Sequence, residues 1–220
     1  MRTEAESLER RLGLTVEPLL AAGGLVVFGL VSHRGLPWAA LGASAVLVAA
    51  AAIARSLRRA VRPAALLGLG RVTARTASWS IPGMLLGTGA AFLHRQGMGI
   101  SIWPVAGAGA FALVACMIGA TEEVVYRGWL QGTLRPFGWH AAVACSAVAH
   151  AAYKTALFAW LPGSEIMDLA AIALWTTVGG VVLGMLREIS DSLLPAILAH
   201  VAFDFMVYGT LNHAPWWVWS

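Results

Sequence analysis

Residues 100–127 read ISIWPVAGAGAFALVACMIGATEEVVYR, an uncharged run that ends in two adjacent carboxylates and an arginine. The run is long enough to cross a bilayer as a helix, which takes about 20 apolar residues. Glu122, Glu123 and Arg127 stand at the end of this run, where a charge is costly unless it is compensated. Ionisable groups in a membrane segment are functional candidates, so this stretch predicts both a membrane fold and a candidate site.

The composition of the whole chain is that of a membrane protein. Of its 220 residues, 59% are hydrophobic and 12% are charged, and the mean hydropathy is +0.73. Soluble domains average about 25% charged residues, so this class of protein is excluded. A formal net charge of +4 is typical of cytoplasmic loops that contact anionic lipid. We therefore expect a multi-pass integral membrane protein with membrane lipid as a partner and no nucleic acid.

A helix of about 17 to 25 apolar residues can cross a bilayer, and seven apolar segments near this length predict a bundle of seven transmembrane helices. The predicted spans are Pro18–Ser32, Trp38–Ala54, Trp79–Leu93, Ile100–Ala120, Trp139–Trp160, Ile166–Leu186 and Leu193–Leu211. The densest positive cluster follows the second span and contains Arg55, Arg58, Arg59, Arg62, Arg71 and Arg75. By the positive-inside rule this loop and the N-terminus are cytoplasmic. The predicted fold class is all-α, a polytopic membrane helix bundle forming a single membrane domain over residues 1–220.

Small residues let helices approach closely in lipid, so glycines in the apolar runs favour helix packing. We expect this role for Gly23, Gly24, Gly83, Gly87, Gly107, Gly109, Gly179 and Gly180.

Polar residues with catalytic potential lie within the predicted spans or at their edges: Glu122, Glu123, His150, His200 and Asp204. The spacing of four between His200 and Asp204 puts them on one helix face. It suits either a carboxylate that orients an imidazole or two groups that face a common cavity. Arg127 is four residues from Glu123 and can therefore neutralise it. This pair is as consistent with a structural ion pair as with a catalytic element. Glu122 points about 100° away from Glu123, so the two carboxylates need not share a task.

This set of residues favours hydrolysis. Glu122 would act as a general base that takes a proton from water. His150 and His200, from two other helices, would polarise a peptide carbonyl, hold the water or bind a metal. Glu122, His150 and His200 are an acceptable set of ligands for catalytic zinc, but the His-Glu-x-x-His motif is absent. We expect no required cofactor, with zinc as the alternative. The motifs of serine hydrolases and of phosphate-binding loops are also absent.

Three motifs in order resemble those of the CPBP intramembrane proteases, which include the CAAX prenyl endopeptidases and the bacterial Abi proteins. GATEEVVYRGWLQ, residues 119–131, is similar to the first motif, Glu-Glu-x-x-x-Arg. LPAILAHVAFD, residues 194–204, is similar to the last, His-x-x-x-Asn/Asp. His150 falls where the middle motif, Phe-x-x-x-His, has its histidine, with Ser146 at the phenylalanine position. The resemblance covers about Gly107 to Thr210.

The resemblance implies an all-helical intramembrane endopeptidase with its protease core at about 107–210. It implies that Glu122 is the catalytic glutamate and that His150, His200 and Asp204 complete the site. Glu123 and Arg127 would be supporting residues. The substrate would be a polypeptide with a membrane-embedded or C-terminal hydrophobic segment. A glutamate-dependent mechanism is favoured, and Asp204, where the eukaryotic CAAX enzymes have Asn, keeps the zinc alternative open.

The abundance of alanine and arginine with a single lysine is typical of a bacterium with a GC-rich genome. We therefore expect the bacterial inner membrane, where protein prenylation is not the usual expectation. Two other classes of function stay open. One is a non-catalytic membrane immunity or scaffold protein of the same family. The other is a small proton-coupled transporter that uses buried carboxylates and histidines.

Overall fold

The computed structural model describes residues 2–99, 101, 109–160 and 168–209, with side chains from residue 15 onward. These residues form helices joined by turns, and no β-strand occurs among them. The predicted all-α fold class is confirmed. Parts of the fourth, sixth and seventh predicted spans lie outside the described residues.

The helices in chain order overlap every predicted span. They are α1 (Arg2–Val31), α2 (Trp38–Arg59), α3 (Pro63–Leu67), α4 (Ala74–Gly97), α5 (Ala110–Glu123), α6 (Gln131–Leu134), α7 (Trp139–Phe158), α8 (Leu169–Ser190) and α9 (Leu194–Tyr208). A π-helix, Val124–Leu130, joins α5 to α6, and a 3-10 turn, Arg135–Phe137, follows α6.

Among the described helices, α2, α7 and α8 are long and apolar enough to cross a membrane. The segment Thr15–Val31 of α1 and the whole of α9 are apolar over a shorter length. By length and composition the chain is therefore an integral membrane protein. The count of seven spans stays a prediction.

Backbone contacts group the described residues into two compact units. The first unit lies within residues 1–66 and 130–181, and the second within 67–129 and 182–219.

In the first unit, α1 packs against α2 and α7. Gly29 permits the contact with α7, since a Cβ atom there would lie 3.0 Å from the Leu157 nitrogen and 3.1 Å from the Tyr153 oxygen. Alanines dominate the buried residues of this unit, for example Ala45, Ala49 and Ala147. Such small side chains allow close helix contacts in lipid.

In the second unit, α9 packs against α4 and α5. Helix α8 ends at Ser190, and Asp191 takes the left-handed conformation with φ 52°. The backbone N–H of Leu193 then donates to the Gly68 oxygen over 2.9 Å. This turn fixes the start of α9, the helix that carries His200 and Asp204.

The packing role predicted for glycines is confirmed at Gly24, Gly83 and Gly87, where a Cβ atom would collide with the backbone of a neighbouring helix. The prediction is wrong at Gly23 and Gly179, where a Cβ atom would meet no atom of the described residues within 4 Å. Gly107 lies outside the described residues.

The acidic pair does not end its helix, contrary to the predicted span Ile100–Ala120. Helix α5 continues through the π-helix and α6 to Leu134 without a break. Apolar residues resume directly after the carboxylates, and no proline interrupts the helix before Pro136. Glu122 and Glu123 therefore lie inside a continuous helical segment.

Candidate active site

Glu122 and Glu123 are the last residues of α5, and both are buried. The π-helix that follows has an i to i+5 hydrogen-bond pattern, which is rare and frequently found at functional sites. Within it, Arg127 Nη1 donates to Glu123 Oε1 over 3.1 Å. This is the contact that the spacing of four predicted. Both side chains are almost fully excluded from solvent, at 1% and 0% exposure. Each buried charge therefore needs a counter-charge, and the other member of the pair supplies it.

Glu123 makes a second contact that the sequence did not reveal. Its Oε1 atom lies 2.8 Å from Nδ1 of His200 on α9. Because a carboxylate oxygen only accepts, the Nδ1–H group donates. One oxygen of Glu123 thus receives hydrogen bonds from both Arg127 and His200, and it fixes the ring orientation of the imidazole.

The other ring nitrogen of His200 faces two further carboxylates. Its Nε2 atom lies 3.9 Å from Glu122 Oε2 and 3.7 Å from Asp204 Oδ2. Both distances are too long for direct hydrogen bonds. Glu123 is therefore the carboxylate that orients the imidazole. Asp204 instead lies with Glu122 on the Nε2 side of the ring. The spacing of His200 and Asp204 suggested either an orienting carboxylate or two groups that face a common cavity, and this position favours the second role.

Gly119 allows α9 to bring these groups onto α5. A Cβ atom at this position would overlap Asp204 Oδ2 and would lie 3.0 Å from His200 Cδ2. Any larger residue would have to displace the polar groups of α9. The sequence signal was a glycine three positions before Glu122 in an apolar helix, which indicates a close approach.

His150 lies in the first unit, on α7, and is buried. Ser146, one turn earlier on the same helix, is also buried. The second unit brings together Glu122, Glu123, Arg127, His200 and Asp204. The catalytic role of His150 beside Glu122 stays a prediction.

The arrangement around His200 bears on the zinc alternative. Within residues 15–99, 101, 109–160 and 168–209, no group of three His, Cys, Asp or Glu side chains forms a recognisable metal site. The Nδ1 atom of His200 is engaged by Glu123, which leaves Nε2 as the nitrogen that could ligate a metal. The set Glu122, His150 and His200 therefore stays a prediction as a set of zinc ligands.

The fold and this cluster define an all-helical membrane protein with a buried centre of carboxylates and an imidazole that is suited to proton transfer. Residues 103–206 match the family model described as type II CAAX prenyl endopeptidase Rce1-like. The matched segment covers slightly less than half of the chain and contains every predicted catalytic residue, and it agrees with the resemblance to the CPBP and CAAX family of proteases. The family of this model consists of intramembrane endopeptidases that act on polypeptides with membrane-associated segments. No curated protein and no solved structure matches the chain.

Proposed function

We propose that this protein is an intramembrane endopeptidase. It hydrolyses a peptide bond near the membrane-proximal or C-terminal segment of a membrane-anchored polypeptide. The observation that supports this most directly is the position of His200, which is held at Nδ1 by Glu123 while Nε2 faces Glu122 and Asp204.

In the proposed mechanism, one water is shared by His200 Nε2, Glu122 and Asp204. The distances of 3.9 and 3.7 Å are beyond direct hydrogen bonds, and we place the water where all three groups can reach it. Glu122 takes a proton from this water while the water oxygen attacks the carbonyl carbon of the peptide bond. The C–N bond then breaks as Glu122 returns the proton to the leaving nitrogen. His150 would polarise the carbonyl oxygen on which negative charge develops.

Glu123 and Arg127 support this chemistry without taking part in it. The arginine neutralises the buried carboxylate, and the carboxylate orients the imidazole. The mechanism requires no cofactor. Metal analysis of the purified protein, with cleavage measured before and after chelation, tests the zinc alternative. Activity that tracks zinc content and is lost on chelation would replace the glutamate mechanism.

We also propose that the chain forms one domain that crosses a bacterial inner membrane seven times from a cytoplasmic N-terminus. The arginines that set this orientation are all exposed: Arg55, Arg58, Arg59, Arg62, Arg71 and Arg75. A cysteine introduced at Arg62, in a variant with Cys116 and Cys145 changed to serine, should react with a membrane-impermeant maleimide only in inverted vesicles. Labelling in intact cells would overturn the orientation.

The catalytic proposal is tested with Glu122→Gln and with Glu188→Gln as the matched control. Glu188 is a partly buried glutamate of the second unit whose partner is Arg187, 2.9 Å away. Each variant is produced in a host that lacks the protein, and new C-termini of membrane and exported proteins are mapped by mass spectrometry. Cleavage products should appear with the wild type and with Glu188→Gln and disappear with Glu122→Gln. Undiminished processing by Glu122→Gln would overturn the proposal and favour the immunity, scaffold or transporter classes.

A further inference from the structure

Helix α4 lies outside the segment that matches the protease family, yet it packs along α9, the helix of His200 and Asp204. We propose that α4 positions the site, with Gly87 and Arg95 as positioning residues that set the height and rotation of α9. The activity readouts of this inference rest on the proposed function, whereas its spectroscopic readout does not.

The contact row of α4 consists of residues four apart. Gly83, Gly87, Ala91 and Arg95 are all buried, and they form one ridge of the helix. A Cβ atom on Gly87 would overlap the Ala199 carbonyl oxygen, and one on Gly83 would lie 2.6 Å from the Pro195 oxygen. The backbones of α4 and α9 therefore touch at two successive turns, and the second contact is at the residue next to His200.

Arg95 holds the other end of α9. Its side chain is buried, at 2% exposure. Its Nη1 atom donates to the carbonyl oxygens of Met206 and Val207, over 2.9 and 3.2 Å. Its Nε atom donates to the Ser101 oxygen. The last carbonyls of a helix have no partner within it and attract positive charge. Arg95 therefore caps α9 and fixes its axial position.

The contacts of α4 affect the position of His200 because α9 moves as a rigid helix. A shift of α9 by one residue would move the imidazole by about 1.5 Å along the axis and turn it by about 100°. Either change would break the 2.8 Å hydrogen bond from His200 Nδ1 to Glu123. The contacts at Pro195, Ala199 and Met206 span most of α9 and oppose both movements. Helix α4 thus determines where His200 meets α5.

The glycines of α4 provide a graded test. In the part of the chain that the structure describes, a Cβ atom on Gly89 would meet nothing within 4 Å, one on Gly83 would be crowded, and one on Gly87 would overlap the α9 backbone. The readout is the Nδ1–H resonance of His200 in protein labelled with 15N-histidine in detergent micelles, assigned by its loss in His200→Gln. Gly89→Ala should leave this resonance unchanged, Gly83→Ala should shift it, and Gly87→Ala should shift it most or abolish it.

Cleavage should follow the same order. A displacement of about 1 Å at a reacting group can lower the rate about 100-fold, and we expect a loss of that size per folded molecule for Gly87→Ala. The pH dependence of the rate should also change shape in Gly87→Ala. A smaller amount of folded protein would lower the rate but would leave that shape as it is.

A second set of variants decides the matter if Gly87→Ala does not fold. Arg95→Met removes the hydrogen bonds to α9, Arg95→Lys keeps a charged donor, and Arg75→Met changes an exposed arginine in the first turn of the same helix. Arg95→Met should shift the His200 resonance, Arg95→Lys should restore part of the shift, and Arg75→Met should have no effect. Folded Gly87→Ala or Arg95→Met with an unchanged His200 resonance would overturn the inference. If the wild type cleaves nothing while the resonance responds as expected, only the proposed function fails.

Discussion

Nδ1 of His200 lies 2.8 Å from Oε1 of Glu123, although 77 positions separate the two residues in the chain. The same oxygen accepts a hydrogen bond from Arg127 over 3.1 Å. Glu123 therefore stands between a permanent cation and an imidazole, and both of these hold it in place. Glu122, on the Nε2 side of the ring, makes no such direct contact with His200, since Oε2 and Nε2 are 3.9 Å apart. This difference separates a carboxylate that orients the imidazole from the one that we propose as the general base.

Replacing Glu123 with glutamine should damage both stability and activity. Arg127 would lose the carboxylate that balances its buried charge, and breaking such a pair from one side costs about 3–5 kcal/mol. The amide would orient His200 poorly, and loss of an orienting carboxylate can lower a rate by up to about 10⁴-fold. Thermal unfolding in detergent and the cleavage rate per folded molecule measure the two effects. A Glu123→Gln protein with wild-type stability and rate would contradict the assigned role.

The double variant Glu123→Gln, Arg127→Met should separate these two effects. With both charges removed, neither member of this pair is left buried without the other, so much of the lost stability should return. Cleavage should stay low because His200 still lacks its orienting carboxylate. The unfolding free energies of the wild type, of Glu123→Gln, of Arg127→Met and of the double variant give the coupling energy between the two residues. We expect it at about 0.5–3 kcal/mol. Additive losses would mean that the ion pair has no net coupling.

Replacing Gly119 with alanine should lower cleavage while the chain remains helical. The added methyl group would overlap Asp204 Oδ2 and crowd His200, so α9 or its side chains must shift. We expect a loss of about 100-fold in rate for a displacement near 1 Å. The matched control is Gly179→Ala on α8, where the methyl group would meet no described residue within 4 Å. The control should retain activity and gain up to about 1 kcal/mol of helix stability. Equal rates for the two variants would argue against a close approach at Gly119.

Sequence patterns were sufficient to predict those features of the structure that depend on spacing within one helix. The helices follow the apolar runs, and the contact between Glu123 and Arg127 follows from a separation of four residues on one helix. The bond from His200 to Glu123 and the fit of Asp204 against Gly119 depend on how α5 and α9 pack, and no spacing within either helix encodes that packing. The π-helix was also missed, since it arises from a change in hydrogen-bond register that no single residue of Val124–Leu130 signals. His150 illustrates the remaining limit, because a motif position alone does not define its neighbours.

The ion pairs of the first unit lead to a prediction about stability alone. Glu17 on α1 pairs with Arg59 and, over 3.3 Å, with Arg55 on α2. The Glu17 side chain is only 7% exposed, whereas that of Arg59 is 45% exposed. The two partners should therefore respond differently to removal. Glu17→Gln leaves two arginines that water can solvate, so we expect a loss of at most about 1 kcal/mol.

Arg59→Ala, by contrast, leaves a buried carboxylate with weaker compensation, and we expect a loss of about 1–3 kcal/mol in the free energy of unfolding. Neither change should alter the cleavage rate per folded molecule, since neither residue is one of the predicted site residues. Arg58→Ala, at the neighbouring exposed arginine, serves as the control and should be close to neutral. Thermal unfolding of the three variants in the same detergent makes the comparison. If Glu17→Gln proves as destabilising as Arg59→Ala, the asymmetry in burial does not govern this pair, and the carboxylate itself contributes the stability.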